Sequence, residues 1–404
     1  MFEHVEAAPP DPILGLTDAF KADSNPAKIN LGVGVYQDAS GQTPVLASVK
    51  AAEKSLLDTE KTKSYLPIDG SPSFAAAVKG LLFPAENPIH TDRRAATLHT
   101  PGGTGALRIA GEYLRTVHPG SRLWLSDPTW PNHGPIFDAA GLEQVIYPYY
   151  DAEHQRLDLD AMTSALAKAR PGDAILLHGC CHNPTGVDPT LEHWKVIADL
   201  VAERGALPLF DFAYQGFGDG LDEDNAGLLA VAERCPEMLI CSSYSKNFGL
   251  YNERVGALTA VAQNSESARA VLSQLKVIVR RMYSNPPGHG AAIVSTVLGD
   301  PGLEAQWNRE LSAMGERINK MRELLSRGLE ERGTQLAASG NGFLTTQKGM
   351  FSFSGLSKEH VQRLRAEHAI YMVGSGRINV AGITEQNVDR LCDAIAAVTS
   401  QAIA

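Results

Sequence analysis

Between residues 121 and 245 short apolar runs alternate with amphipathic helical stretches, and each run turns polar at its carboxyl end. The runs are SRLWLSD, DAILLHGCC, GALPLFDFA and EMLICSSYS, with LEHWKVIADLVAERG and GLLAVAERC between the later ones. Strand-length apolar segments separated by helices predict an α/β unit with a largely parallel sheet. Ligands of such sheets bind beyond the carboxyl ends of the strands. The polar residues that close each run are therefore the first place to look for chemistry.

Two helix-like stretches, VLASVKAAEKSLL and ALRIAGEYLRTV, precede these runs, and the alternation stops near Pro301. Beyond it WNRELSAMGERINKMRELLSRGLEERG reads as one long, charged, amphipathic helix. GMFSFSG, SKEHVQRLRAEHAIYMV, GRINVAG and a final helix from Glu385 follow, the pattern of an appended α+β domain. The first 40 residues have no core of their own and are expected to complete that second domain. The expected division is an N-terminal arm over 1–10, a small domain from 11–40 with 310–404, and a large domain over 41–309.

Composition narrows the function classes. The net charge of -10 comes without any Lys/Arg block, so no nucleic-acid partner is expected. No apolar run approaches the roughly 20 residues that span a bilayer, so no membrane partner is expected either. The opening MFEHVEAAPPDPILG lacks the basic and apolar regions of a signal peptide. Five cysteines, odd in number and partly adjacent, suit a reducing cytoplasm better than a disulfide framework. These features predict a cytoplasmic protein.

Four motifs carry candidate chemistry. HTPGGTGALRIAGEYL sets Gly102, Gly103 and Thr104 before a helix, where backbone amides and the helix N-terminus can receive an anion. It is neither a P-loop nor a dinucleotide fingerprint, since the strand before it is weak, and a plain flexible turn would look the same. HGCCHNPTG brings His178, Cys180 and His182 to alternate positions, but no second ligand pair with zinc-like spacing exists, so no metal is expected. Its Asn183 precedes a proline that restricts it to extended geometry. PLFDFAYQGF ends an apolar strand on Asp211, with Tyr214 three residues on. A carboxylate there is costly without a cationic or hydrogen-bonding partner, or else it caps the next turn. CSSYSKNFGLYNERVG places Lys246 among Ser243, Ser245 and Arg254, a set of anion-binding groups around one amine; a surface lysine at a turn is the plain alternative. Together a phosphate cradle, a buried Asp and an encircled lysine fit pyridoxal phosphate.

These motifs resemble those of class I aminotransferases of fold type I, in the aspartate/aromatic amino acid subgroup. The resemblance runs colinearly through DPILGL, INLGVGVY, SYLPIDG, HTPGGTGAL, DPTWPNHGPIF, HGCCHNPTG, DFAYQGF, SYSKNFGLYNERVGAL, YSNPPGHGA and SGRINVAG. It implies a large domain with a mostly parallel seven-stranded sheet flanked by helices, binding the cofactor, and a smaller α+β domain. It further implies that Lys246 holds pyridoxal 5'-phosphate covalently and later acts as a general base. Asp211 would pair with the ring nitrogen, Asn183 and Tyr214 would contact the phenolic oxygen, and Trp130 would stack on the ring. The phosphate would lie among Gly102, Gly103, Thr104, Ser243, Ser245 and Arg254, with Tyr65 reaching in from a second subunit. Arg377 would bind the substrate α-carboxylate, Arg280 would cross the interface of a homodimer to a side-chain carboxylate, and Gly34 would line the site.

The activity so implied is ping-pong transfer of the amino group of L-aspartate to 2-oxoglutarate, with tyrosine or phenylalanine as alternative donors. Val35, Thr43, Thr104 and Asn285 resemble the aspartate branch, Gln37 and Ser64 match neither, and DPTW with Arg280-Arg281 also occurs in aromatic members. Decarboxylation or racemisation would need another bond of Cα aligned, which a two-arginine clamp disfavours. A regulator built on this fold would need an added DNA-binding module, and the resemblance begins within the first residues.

Overall fold

The computed structural model describes residues 2–7 and 14–400. The expected arm over 1–10 and the start of DPILGL therefore lie partly outside the described residues. Seven strands form one sheet in the order Ala95–Pro101, Val255–Val261, Met238–Ser243, Leu207–Phe212, Ala174–His178, Arg122–Asp127, Glu143–Pro148. All neighbours are parallel except Val255–Val261, which runs antiparallel to both its partners. The mostly parallel seven-stranded sheet is thus present.

Its strands read as continuous apolar runs because both faces are covered. Along Ala174–His178, Ile175 and Leu177 enter one core while Ala174 and Leu176 enter the other. Helices Gly102–Val117 and Ser265–Met282 close the second face with Leu107, Ile109, Leu275 and Val279. Helices Leu191–Arg204 and Ala226–Arg234 close the first with Trp194, Ile197 and Val231. Each fully buried Leu or Phe among these contributes about 1.5–3 kcal/mol.

The strand before HTPGG, expected to be weak, is instead Ala95–Pro101, which pairs over seven residues with Val255–Val261. AATLHTP and VGALTAV are rich in Ala, Gly and Thr and lack the bulky apolar pattern of a strand. Pairing is instead secured by burial and by a buried Thr97–Thr259 hydroxyl contact of 2.8 Å.

The long helix spans Pro301–Glu331, so the boundary expected at 309/310 falls inside it. Asp300 caps it by accepting from Gly302 N and Leu303 N at 2.8 and 3.0 Å, and Pro301 occupies the first turn, where its missing N–H costs nothing. Trp307, Leu311, Met314, Ile318, Met321 and Leu325 recur at three- and four-residue spacing and form its buried stripe. Beyond it, Phe351–Phe353 pairs antiparallel with Arg377–Asn379. Ile29–Asn30 pairs parallel with Ile370–Tyr371, which ties the N-terminal segment to the C-terminal part of the chain. The last helix is Val388–Ser400, three residues shorter at its start than expected. Thr384 N donates to Asn387 Oδ1 at 2.8 Å there and holds the preceding turn. Among the described residues no helix is long and apolar enough to cross a membrane.

Candidate active site

One cavity lies beyond the carboxyl ends of Leu207–Phe212 and Met238–Ser243. Asp211 reaches it from the first strand and Lys246 from the turn after the second. That turn is held from below: Trp307 Nε1 donates to Asn247 O at 2.8 Å, and the Trp307 ring stacks on Phe248 at 4.4 Å.

Asp211 is met by a polar chain the sequence did not reveal. His133 Nε2 lies 3.0 Å from Asp211 Oδ2, Thr129 Oγ1 lies 2.8 Å from His133 Nδ1, and His178 Nε2 lies 3.0 Å from the same hydroxyl. With Asp211 ionised, His133 donates to it from Nε2, and the Thr129 hydroxyl bridges His133 Nδ1 and His178 Nε2. Burial would push Asp211 up, but the His133 bond and the positive neighbours, Lys246 included, hold its carboxyl below the usual range. Burial, with His133 alongside, drives His178 down to about 3, so this end of the chain is neutral.

Lys246 Nζ sits 4.5 Å above the Tyr214 ring centroid. Burial lowers its pKa to about 8; Asp211 opposes the shift, while Arg254 and Arg377 add to it. A buried amine near 8 is a nucleophile and base at working pH. Burial pushes the Tyr214 hydroxyl well up, so it remains a hydrogen-bond donor.

The anion cradle closes around the start of Gly102–Val117. Gly102 has φ +72, and a Cβ there would stand 2.4 Å from Arg254 Nη2. A Cβ on Gly103 would come 3.0 Å from Ser243 Cβ, and one on Gly256 would strike the Gly102 carbonyl carbon at 2.3 Å. Arg254 Nη1 donates to Ser245 Oγ at 3.4 Å and Tyr251 O at 3.0 Å, and Ser243 Oγ lies 3.3 Å from Ser245 Oγ. Thr104 lines the same corner. A guanidinium, three hydroxyls and a helix N-terminus converge, and Asp211 is the only carboxylate in the lining. This donor set fits a phosphate ester, and Lys246 and Asp211 fit the aldehyde and ring nitrogen of pyridoxal phosphate.

Arg377 occupies the opposite wall, buried, with its guanidinium 4.3 Å above the Phe351 ring. Its Nη1 donates to Asn183 Oδ1 at 3.2 Å and its Nη2 to Gly32 O at 2.8 Å, while Nε is buried without a partner among the described residues. Trp130 and Gly34 also line the cavity, and a Cβ on Gly34 would meet the Phe351 ring at 3.2 Å.

Two expected residues are not brought here by this chain. Tyr65 is 93% exposed and lines a separate groove with Ser64 and Asn285. Arg280 is exposed and bonded to the Ser284 hydroxyl. Of the residues read for substrate preference only Thr104 lines the cavity; Thr43 Oγ1 donates to Tyr36 O at 2.9 Å, and Asn285 Nδ2 to Leu66 O at 2.9 Å. The convergence of His178, Cys180 and His182 does not occur. The two histidine rings pack at 4.1 Å, but the Cys180 thiol lies with Cys181 and Asp224, whose carboxylate accepts from Gly216, Gly218 and Asp219 N. Besides Thr129 and His133, sequence reasoning missed Tyr251, Phe351 and Asn379. Tyr251 stands within the lysine motif, three residues before Arg254, whereas Phe351 and Asn379 act through contacts distant in the chain.

The model of the family "Aminotransferase class I and II" matches residues 26–395. The chain is 56% identical to an aspartate aminotransferase from Salmonella typhi over 98% of its own length and 100% of the relative's. It is 48% identical to an aromatic-amino-acid aminotransferase from Pseudomonas aeruginosa, over 98% of each. The solved structure of an aromatic-amino-acid aminotransferase from Burkholderia pseudomallei, covalently bound to pyridoxal phosphate, superposes with a TM-score of 0.95. That pair is 45% identical, over 98% of this chain and 99% of the other.

Proposed function

The chain belongs to the class I and II aminotransferase family and is a pyridoxal-phosphate-dependent aminotransferase; on that premise we propose that it transfers the amino group of L-aspartate to 2-oxoglutarate, giving oxaloacetate and L-glutamate. The observation that carries this reading is Arg377: a buried guanidinium whose Nε has no partner among the described residues, lining the cavity that holds the half-buried Lys246. A planar cation of this kind suits a carboxylate bound through two hydrogen bonds. Relatives 54–56% identical are named aspartate aminotransferases, which favours aspartate as donor. The likeness to enzymes named for aromatic amino acids supports tyrosine and phenylalanine as the second reading.

The cofactor, when bound, supplies the electron sink that lets Cα give up its proton. The chain does the rest. Ser243, Ser245, Arg254 and the amides of Gly102 to Thr104 would hold the phosphate, and Asp211, its carboxyl held down by the His133 bond, would hold the ring nitrogen in its protonated form. Asn183 and Tyr214 would meet the phenolic oxygen, and Trp130 would cover the ring. Arg377 fixes the α-carboxylate and so turns the Cα–H bond toward Lys246, whose Nζ takes that proton. In the second half-reaction the same groups return it.

The same proposal extends to assembly and place. A homodimer in the cytoplasm would let Arg280 and Tyr65 of one copy complete the site of the other, Arg280 meeting the side-chain carboxylate of aspartate. The division at 1–10, 11–40 with 310–404, and 41–309 belongs to this proposal too, with the long helix crossing its last boundary. The test is a half-reaction: protein loaded with pyridoxal phosphate should convert L-aspartate to oxaloacetate without an acceptor, and L-tyrosine more slowly. Faster conversion of tyrosine selects the second reading, and no oxo acid from either donor defeats both.

A further inference from the structure

The rim of the cavity beside Arg377 is the segment Leu31–Tyr36, which makes little secondary structure of its own. Its carbonyls are nevertheless held one by one. Asn379 N donates to Leu31 O at 2.8 Å and Arg377 Nη2 to Gly32 O at 2.8 Å. Asn379 Nδ2 donates to both Val33 O at 2.5 Å and Val35 O at 2.8 Å. At the far end Tyr36 N donates to Tyr251 Oη at 2.8 Å, and Tyr251 lines the cavity near Arg254. The remaining Asn379 group is also engaged, Oδ1 accepting from Ala381 N at 3.1 Å. Asn379 is buried, and every hydrogen-bonding group of its side chain has a partner.

Arg377 and Asn379 are two apart on one strand, so their side chains leave it on the same face and meet the same rim. Gly34, the residue between the two carbonyls that Asn379 holds, closes over the Phe351 ring on which Arg377 lies. An amide is the fitting side chain: two donors on one nitrogen reach two carbonyls while the oxygen caps the following turn. A carboxylate of the same shape would keep the cap and face both carbonyls with a second acceptor.

We infer that Asn379 is a positioning residue for the carboxylate end of the substrate, holding the Gly32–Val35 rim so that Arg377 keeps one geometry. This rests on the reading of Arg377 as the α-carboxylate site. Without the amide donors the rim loses two of its fixed points, Gly32 O shifts from Arg377 Nη2, and binding must then order both. Amino acid and oxo acid place a carboxylate at the same spot, so both should be affected alike. Loss of binding common to ground and transition states raises KM more than it lowers kcat.

The experiment is Asn379→Asp in the cofactor-loaded protein, read by steady-state kinetics and by amide hydrogen exchange. KM for L-aspartate and for 2-oxoglutarate should each rise about 10-fold or more, the loss of roughly one hydrogen bond, with a smaller change in kcat. Exchange should quicken at residues 32–36 and stay slow in the sheet strand Leu207–Phe212. Wild-type KM values with wild-type exchange at 32–36 would overturn the inference, as would faster exchange there with KM unmoved. If the Asp variant exchanges fast throughout, Asn379→Ser, which keeps an acceptor for Ala381 N, is read by the same two criteria. Wild-type protein that fails to transaminate aspartate defeats the functional reading instead, and it does so without any variant.

Discussion

Arg377 and Arg280 carry the same side chain in opposite situations. Arg377 is 3% exposed, stacked on Phe351 and bonded to Asn183 and Gly32. Arg280 lies exposed near the end of Ser265–Met282 with a serine hydroxyl for company. Burial lowers the pKa of Arg377, which shows how far its charge is withdrawn from water. A cation so placed is built to receive an anion, whereas one in solvent has no such demand. The contrast teaches that a single chain gathers the cavity floor and one buried guanidinium, while Arg280 stays outside that cavity; under the proposed function a second carboxylate subsite would come from another copy.

The largest break in this comparison is Arg377→Lys. Lysine keeps the charge but loses the planar fork and the bonds to Asn183 and Gly32. Two charge-assisted hydrogen bonds amount to roughly 4 kcal/mol, so kcat/KM should fall on the order of 10³-fold for every amino acid donor alike. A loss confined to aspartate, with phenylalanine spared, would exchange the roles of the two arginines.

Arg280→Ala should do what Arg377→Lys does not. It should lower kcat/KM for aspartate by about 10²-fold, as one lost charge-assisted contact implies, and leave phenylalanine nearly unchanged. Mixed with Lys246→Ala protein and allowed to exchange subunits, it should regain activity, because one hybrid site then has both groups intact. No recovery in a mixture shown to form hybrids would place Arg280 in its own chain's site.

How much of this was legible in the sequence follows the same division. Asp211 stands at the end of an apolar strand and Lys246 and Asn183 beyond theirs, where the fold class itself directs attention, and Arg254 sits among the hydroxyls it serves. The strands Ala95–Pro101 and Val255–Val261 were not legible, because Ala, Gly and Thr carry little strand signal outside the sheet that buries them. His133 was silent for another reason: its partner lies 78 residues away, and only the folded sheet brings them together. Asn379 stood in GRINVAG with no role read for it, because its work is with carbonyls more than 340 residues earlier.

His133→Ala tests the floor on its own terms, with a smaller effect. Without that bond, burial dominates at Asp211 and its pKa rises. A carboxyl whose folded pKa is depressed contributes stability above its unfolded value, lost as pH falls through the folded one. The variant should therefore lose activity and stability at a higher pH than wild type does. At pH 8, where Asp211 stays ionised, kcat/KM should fall about 10-fold or less for the one lost bond, and the gap should widen toward pH 5. A parallel acid limb in both proteins would mean that Lys246 and its neighbours alone hold Asp211.

Trp307→Phe asks whether the floor depends on the long helix at all. Phenylalanine can keep the stack on Phe248 but cannot donate to Asn247 O, leaving a buried carbonyl beside the lysine turn. That should cost about 1–2 kcal/mol of stability, measured as a lower midpoint in thermal unfolding. The lysine turn is also held by Ser245 N donating to Ser243 Oγ at 3.4 Å and by Gly249 N donating to Lys246 O at 3.0 Å. Activity should therefore change by less than about 3-fold, well under 1 kcal/mol. A fall of ten-fold or more with the unfolding midpoint unmoved would mean that this helix sets the amine's position.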